Sequence, residues 1–430
     1  MKQAILGLLM VGSAHAEDVP RLGLNFIPYS AETPAENALT ASQINKDVNR
    51  LGAHAIRHLG RADLTWRTVE PEDDQWRFES ADAVIKASPA VPVLTLFSWQ
   101  YASATAPWDD GPGAFRPVLT EAAKHYVQTV VERYADHVRY WEVGNEMDRW
   151  GVSESGDRTT APTSRPPHQP PGGFSPEAQG RFVAEVATLI RAHDPDAQIL
   201  MPGMGELSDY VLDEWLPGFV QGAGVEGFDV VNYHLFGPWK DGDTRRKRLT
   251  QVLKKLGVGD KPVWLTEAGT SSVPAFNPRQ GAVRTDAQQA SDVFRLAVTA
   301  WASGDQAVFW HSYVSPSQRT RSRWRGYGLK DEQGQPKPAY SAYRLLAQHI
   351  APHQSIRAVS GLQSGQYGFE IVRDDGTMRW VYWGEGTVDA PTHIPAKAYT
   401  SVLPEADESY SWRGVPDRFE LSSIPVLLRN

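Results

Sequence analysis

The sequence predicts an α/β fold, a (β/α)8 barrel followed by a small C-terminal all-β domain. Three observations carry this. Eight short apolar runs recur between Leu22 and Tyr313, near-continuous as strands covered on both faces should be. Helix-like stretches separate several of them. Beyond Pro352 the pattern changes to short alternating runs.

The apolar runs are, in order, Leu22–Ile27, Ala55–Leu59, Val91–Phe97, Val138–Val143, Gln198–Met201, Phe228–Tyr233, Pro262–Thr266 and Ala307–Tyr313. Helical patterns occupy Ala41–Leu51, Leu119–Tyr134, Pro176–His193 and Thr285–Ser303, with Ser175 placed as an N-cap and Pro176 at the first helical position. This alternation fits a barrel. A doubly wound open sheet would carry a Gly-rich phosphate loop after its first strand. Here that strand ends Asn25-Phe26-Ile27-Pro28. A last helix is expected over Ala339–Ile350. Then come short strands at Tyr367–Val372, Met378–Trp383, Tyr399–Leu403 and Pro425–Leu428, the first two joined by an Asp375-Gly376 turn. Ser153–Gly173 is a polar, Pro-rich loop on the expected site side, a lid or a tolerated insertion.

Residues 1–16 have the pattern of a secretory signal peptide: Lys2, an apolar run Ala4–Gly12, and Ala14-His15-Ala16 before acidic Glu17 and Asp18. The expected organisation is therefore a signal peptide over 1–16, a catalytic barrel over 17–352 and a β domain over 353–430. The chain is expected to be secreted or periplasmic. No later stretch is apolar for long enough to anchor it in a membrane.

Composition narrows the chemistry. The 430 residues contain no Cys, which excludes disulfides, zinc-thiolate sites, a Cys nucleophile and thiol redox work. The net charge of −8 argues against nucleic acid or an anionic membrane as partner. Trp is abundant, at 15 residues against 14 Phe. Sugar stacking and core packing both account for such an excess.

Barrel active sites form at the C-terminal ends of the strands. The fourth run ends Asn145-Glu146 and the seventh ends Thr266-Glu267. A buried carboxylate is costly without partners. Two of them at non-adjacent strand ends point to a paired acid/base system of the kind glycoside hydrolysis requires. Arg57, ending the second run, is a candidate cation to keep one carboxylate ionised. Trp99, Trp108, Trp150, Trp239 and Trp324 fall after strand ends or in loops, where they are candidates for stacking on sugar rings. Trp141 and Trp264 lie within strands and read as core. His234 and His311 end strands, but no H-x-H follows the first strand and no H-E-x-x-H occurs. No metal or other cofactor is expected. A G-x-S-x-G elbow is also absent.

At these residues the sequence resembles the clan-A glycoside hydrolases, most closely family 39 of the bacterial exopolysaccharide-cluster type. The Asn145-Glu146 pair and Glu267 carry the resemblance. So do Trp66-Arg67-Thr68-Val69-Glu70-Pro71 with Trp76 and Phe78, the Tyr233-His234 pair, and Tyr327-Gly328-Leu329 with Pro336-Lys337-Pro338-Ala339-Tyr340. One departure is Met147, where Pro often follows the pair.

The resemblance implies a retaining hydrolase acting on a polysaccharide or oligosaccharide, working as a monomer. It implies that Glu146 is general acid then base and that Glu267 is the nucleophile. Asn145 would contact the sugar 2-hydroxyl. Arg57 with Tyr233 or His234 would hold Glu267 ionised, and Trp310 would floor the reacting sugar. Two further readings use the same residues: a barrel that only binds carbohydrate, and a transglycosylase.

Overall fold

The computed structural model describes residues 19–25, 41–58, 65–97, 118–149, 175–237, 239–273, 283–316, 324–391, 396–405 and 409–430. The expected signal segment, Trp99, Trp108, Trp150 and the loop 153–173 lie outside these residues.

The barrel strands are β1 (Leu22–Asn25), β2 (Ala55–His58), β3 (Val91–Leu96), β4 (Tyr140–Val143), β5 (Gln198–Leu200), β6 (Val231–Phe236), β7 (Val263–Gly269) and β8 (Ala307–His311). They form one parallel sheet in the order β5-β4-β3-β2-β1-β8-β7-β6. Parallel bridges from Leu200 to Val230 and from Met204 to Tyr233 join its two edges, so the sheet closes. The chain is thus a (β/α)8 barrel with an added antiparallel sheet at its C-terminal end.

The helices are α1 (Ala41–Leu51), α2 (Trp66–Val69), α3 (Glu79–Ile85), α4 (Glu121–Tyr134), α5 (Pro176–His193), α6 (Leu216–Ala223), α7 (Trp239–Lys255), α8 (Asp286–Ala302) and α9 (Pro338–His349). Local chemistry sets several starts. Thr120 Oγ1 accepts from Ala123 N before α4, and Ser175 Oγ accepts from Ala178 N before α5. Thr285 and Gln288 exchange side-chain and backbone bonds in a capping box before α8. Helix α7 has no counterpart in the sequence reading. Its stretch carries seven Lys and Arg residues over Lys240–Lys255, which mask the few buried positions such as Leu249 and Leu253.

Alternation along the strands sorts side chains into layers. Ala55, Val93, Tyr140, Leu200, Val230, Trp264, Ala307 and Phe309 fill the barrel interior. Trp264 lies against Tyr140 at 4.8 Å and Phe309 at 6.0 Å between ring centroids. One inward position further along come Asn25, Arg57, Thr95, Glu142, Asn232, Thr266 and His311, all buried. A polar layer therefore sits on an apolar plug. The opposite strand faces, including Leu24, Ile56, Trp141, Tyr233, Leu265 and Trp310, belong to the large core between sheet and helices.

The tail holds β9 (His353–Ala358), β10 (Tyr367–Arg373), β11 (Met378–Trp383), β12 (Thr387–Asp389), β13 (Ala398–Ser401), β14 (Arg413–Gly414), β15 (Arg418–Glu420) and β16 (Val426–Arg429). Six of these make a sheet in the order β14-β13-β16-β11-β10-β9, and β12 pairs with β15. The β10–β11 hairpin turns at Gly376, whose φ is 75°. One face of the sheet, with Phe369, Ile371, Val381, Trp383 and Leu427, is continuous with the barrel's outer core. Trp239 at the start of α7 stands edge-on to Tyr367 and Trp383, at 4.7 and 5.3 Å.

Candidate active site

Two backbone irregularities aim the candidate carboxylates. In β4, Glu142 points inward and Val143 outward. Gly144 then breaks the alternation with φ 83°, and Glu146 follows at φ 48°. A Cβ on Gly144 would lie 2.2 Å from Met147 Cε, so both space and backbone require glycine there. The turn brings Asn145 and Glu146 over the barrel mouth. A left-handed non-glycine residue costs energy that the surrounding structure must supply. Here Glu146 N is held by Gly203 O at 2.8 Å.

In β7 the register shifts against both neighbours, between Tyr233 and His234 of β6 and between Leu265 and Ala268 of β7. This bulge lets two consecutive residues face inward. Thr266 Oγ1 donates to Asn232 Oδ1, and Glu267 enters the site beside it. The sequence reading ended this strand at Thr266; the bulge carries it on to Gly269.

Arg57 lies at the centre, fully buried. Its Nε and Nη2 donate to Glu142 Oε2 and Oε1 at 2.6 and 2.8 Å, Nη1 to Glu267 Oε1 at 2.7 Å, and Nη2 also to Asn145 Oδ1 at 2.7 Å. Glu142 is further satisfied by Thr95 Oγ1 at 2.7 Å, Asn232 Nδ2 at 2.6 Å and Gly203 N at 3.2 Å. Bonded on all sides, it has no lone pair left for a substrate and acts as the anchor for Arg57.

His234 Nδ1 lies 3.1 Å from Glu146 Oε1 and 3.7 Å from Glu267 Oε2. One donor atom each from Glu146, His234 and Glu267 falls within 4.8 Å of the others. Gly203 makes room for this imidazole, since a Cβ there would lie 2.3 Å from His234 Nε2. Burial pushes the Glu267 carboxyl up, but the neighbouring His234, Arg57 and His311 outweigh it and hold the group below its ordinary range. Of these three, Arg57 carries a permanent charge. His311, by contrast, is pushed by burial down to about 4, which leaves it neutral near pH 7. The two carboxylates and the imidazole form a donor set that can hold a metal ion. The guanidinium groups of Arg57 and Arg149 on the same carboxylates already supply positive charge.

Of the residues expected at the site, Arg57, Asn145, Glu146, His234 and Glu267 come together. Tyr233 does not. Its strand position is outward, and its hydroxyl donates to Asp305 Oδ2 at 2.6 Å, where Arg246 also binds. Trp310 does not either. It faces the outer core, and its Nε1 donates to the Tyr327 carbonyl at 3.1 Å. The inward residue of β8 at this level is His311, with Asn25 Nδ2 at 3.3 Å from its Nδ1. Trp324 packs on the His311 ring at 4.5 Å and on Phe236 at 4.9 Å, giving the site its aromatic wall. Trp239 packs under the tail sheet. Trp66 donates to Glu70 at 2.6 Å and stacks on Tyr126, so the Trp…Glu-Pro segment is structural. Glu142, Asn232 and Thr95 were not singled out in the sequence. Their signal was the spacing of two from the next inward residue.

Residues 175–343 match the family described as the glycosyl hydrolase catalytic core, a span that includes His234 and Glu267. Similar solved structures extend over nearly the whole chain. A family 39 glycoside hydrolase from the gut symbiont Bacteroides cellulosilyticus WH2 has 17% identity and a TM-score of 0.68, covering 96% of this chain and 81% of that one. A glucosidase from Croceicoccus marinus has 14% identity and a TM-score of 0.63, covering 96% and 95%. A monomeric β-xylosidase from Caulobacter crescentus CB15 has 15% identity and a TM-score of 0.59, with the same coverages of 96% and 95%. No curated protein matches the chain in sequence. At these identities the structures speak for the fold, and the matched segment speaks for the chemistry. By its glycosyl hydrolase catalytic-core segment the chain is a glycoside hydrolase, and its barrel shares the fold of the family 39 enzyme.

Proposed function

We propose that the protein is a secreted retaining glycosidase that cleaves a polysaccharide or oligosaccharide, β-linked and of the exopolysaccharide kind, by double displacement. The observation that carries this reading is the close approach of Glu146 and Glu267, whose facing oxygens lie within 4.8 Å. Retaining enzymes hold their carboxyls about 5–5.5 Å apart, whereas inverting enzymes leave about 6.5–9.5 Å for a water molecule.

In the first step Glu267 Oε2 attacks the anomeric carbon while protonated Glu146 gives its proton to the departing glycosidic oxygen. The C–O bond breaks and a glycosyl ester forms on Glu267. In the second step Glu146 takes a proton from water as that water attacks the same carbon, and the ester bond breaks to regenerate Glu267. Asn145, fixed by Arg57, is placed to bond the 2-hydroxyl. The ionised state of Glu267, maintained by Arg57, suits it to attack. The N-terminal segment 1–16 supports export, and the β-xylosidase among the similar structures supports a β-linked substrate.

A panel of acidic and neutral polysaccharides, followed by reducing ends and product size, finds the substrate. Proton NMR of the first product then reads the anomer. Retention is the expected result, and initial formation of the inverted anomer rejects the nucleophile assignment.

A further inference from the structure

Arg149 follows Glu146 by three residues, on the short 3-10 turn Met147–Arg149, and its Nη1 lies 3.2 Å from Glu146 Oε2. The guanidinium is fixed from behind. Its Nη2 donates to the Gly205 carbonyl, with Glu206 Oε2 at 3.8 Å, and its Nε faces Asp148 Oδ2 at 3.8 Å. Asp148 is buried and accepts from Gly205 N at 2.9 Å. Glu146 therefore has one oxygen toward Arg149 and the other toward His234. Among the described residues, the other charged groups around it are Glu267 on β7 and, behind that residue, Arg57 on β2 and His311 on β8.

We propose that Arg149 is a positioning residue that switches Glu146 from acid to base between the two steps. This rests on the double-displacement reading above. While Glu267 is ionised, its negative charge favours a proton on Glu146 and opposes Arg149. Once Glu267 is esterified, that repulsion is gone. Arg149 then acts unopposed, draws Glu146 to its ionised form and prepares it to accept a proton from water. Burial pushes the Asp148 carboxyl up, to about 6, so it competes weakly for Arg149 in mildly acidic solution. The second step should thus depend on Arg149 more than the first.

The test uses the full chain and Arg149→Met, with Arg149→Lys as the conservative variant. On 2,4-dinitrophenyl β-D-glucoside or β-D-xyloside the leaving group needs little acid help, so the burst reports the first step and the steady state reports the second. Arg149→Met should keep its burst rate, lose about tenfold in steady-state rate and lower KM, because the ester accumulates. Arg149→Lys should recover part of the loss. Independently of substrate, the Glu146 carboxyl, labelled with carbon-13 and assigned by Glu146→Gln, should titrate about one unit higher in Arg149→Met. Equal slowing of both steps, or an unmoved Glu146 titration, overturns the proposal. Glu146→Ala with added azide separates the two levels: recovery as a glycosyl azide supports the catalytic reading whatever Arg149 does, and no recovery rejects that reading itself.

Discussion

Arg57 Nη1 meets Glu267 Oε1 at 2.7 Å while Nε and Nη2 of the same guanidinium hold both oxygens of Glu142. One cation therefore faces two buried anions. The surplus negative charge is absorbed by neutral donors from Thr95, Asn232 and Gly203, all of which go to Glu142. Glu267 receives none of these and keeps Oε2 for chemistry.

Breaking the Arg57–Glu142 pair should unfold more than it inactivates. Removing one member of a buried ion pair costs about 3–5 kcal/mol because the other charge is left uncompensated. Glu142→Leu is expected to lose stability on that scale in urea unfolding. Arg57→Lys keeps the charge but cannot form the fork. It should fold near the parent and lose kcat. An Arg57→Lys variant with unchanged kcat would remove the guanidinium from the mechanism.

Glu267→Gln should lose turnover by on the order of 10³-fold or more while still binding oligosaccharide. Calorimetric titration against the best substrate of the panel, beside a turnover assay, checks both halves. Retained turnover would move the nucleophile elsewhere, and a parent protein that binds without turnover would be a carbohydrate-binding barrel.

Two tryptophans should part company. Trp310 faces the outer core, so Trp310→Ala is expected to lose about 3–5 kcal/mol of stability. Trp324, on the site side against His311 and Phe236, should when changed to Ala raise KM with a smaller effect on melting. The reverse pattern would place Trp310 under the sugar.

Stability should fall on acidification well before the carboxylates titrate. Burial pushes His58 down to about 3 and His311 and His353 to about 4. An unfolded imidazole takes its proton near about 6.5, so between that pH and about 4 the unfolded chain binds more protons and gains. Asp47 adds a second loss at lower pH. Burial pushes its carboxyl up, but bonds from Lys330, Tyr313 and Tyr340 outweigh this and hold it below the usual range. The stability it gives is full above its unfolded pKa and disappears as the pH falls further. Melting curves from pH 7 to 4 should show a steady decline, shallower in His353→Gln.

The barrel was legible in the sequence because strands covered on both faces leave uninterrupted apolar runs. That same property hid which face turns inward. Trp310 and Tyr233 sit one residue from His311 and His234, and an apolar run offers no polarity to choose between them. Glu146 and Glu267 were visible as charges ending such runs. Glu142 was hidden inside one, where its partners come from β2, β3 and β6 and none is near in sequence. The bulge at Thr266 and the left-handed Glu146 leave no compositional mark. Only the glycine at 144 signals where the strand ends.

The indole of Trp239, pressed between the α7 start and the rings of Tyr367 and Trp383, ties the tail to the loop that leaves β6. With one face of the tail sheet merged into the barrel's own core, the two parts have no clean seam. The tail is thus not a cargo module that can be clipped off, swapped or evolved separately. Cutting the chain after Pro352 would uncover a slab of aromatic surface and invite aggregation, and the intact protein should melt as one cooperative body.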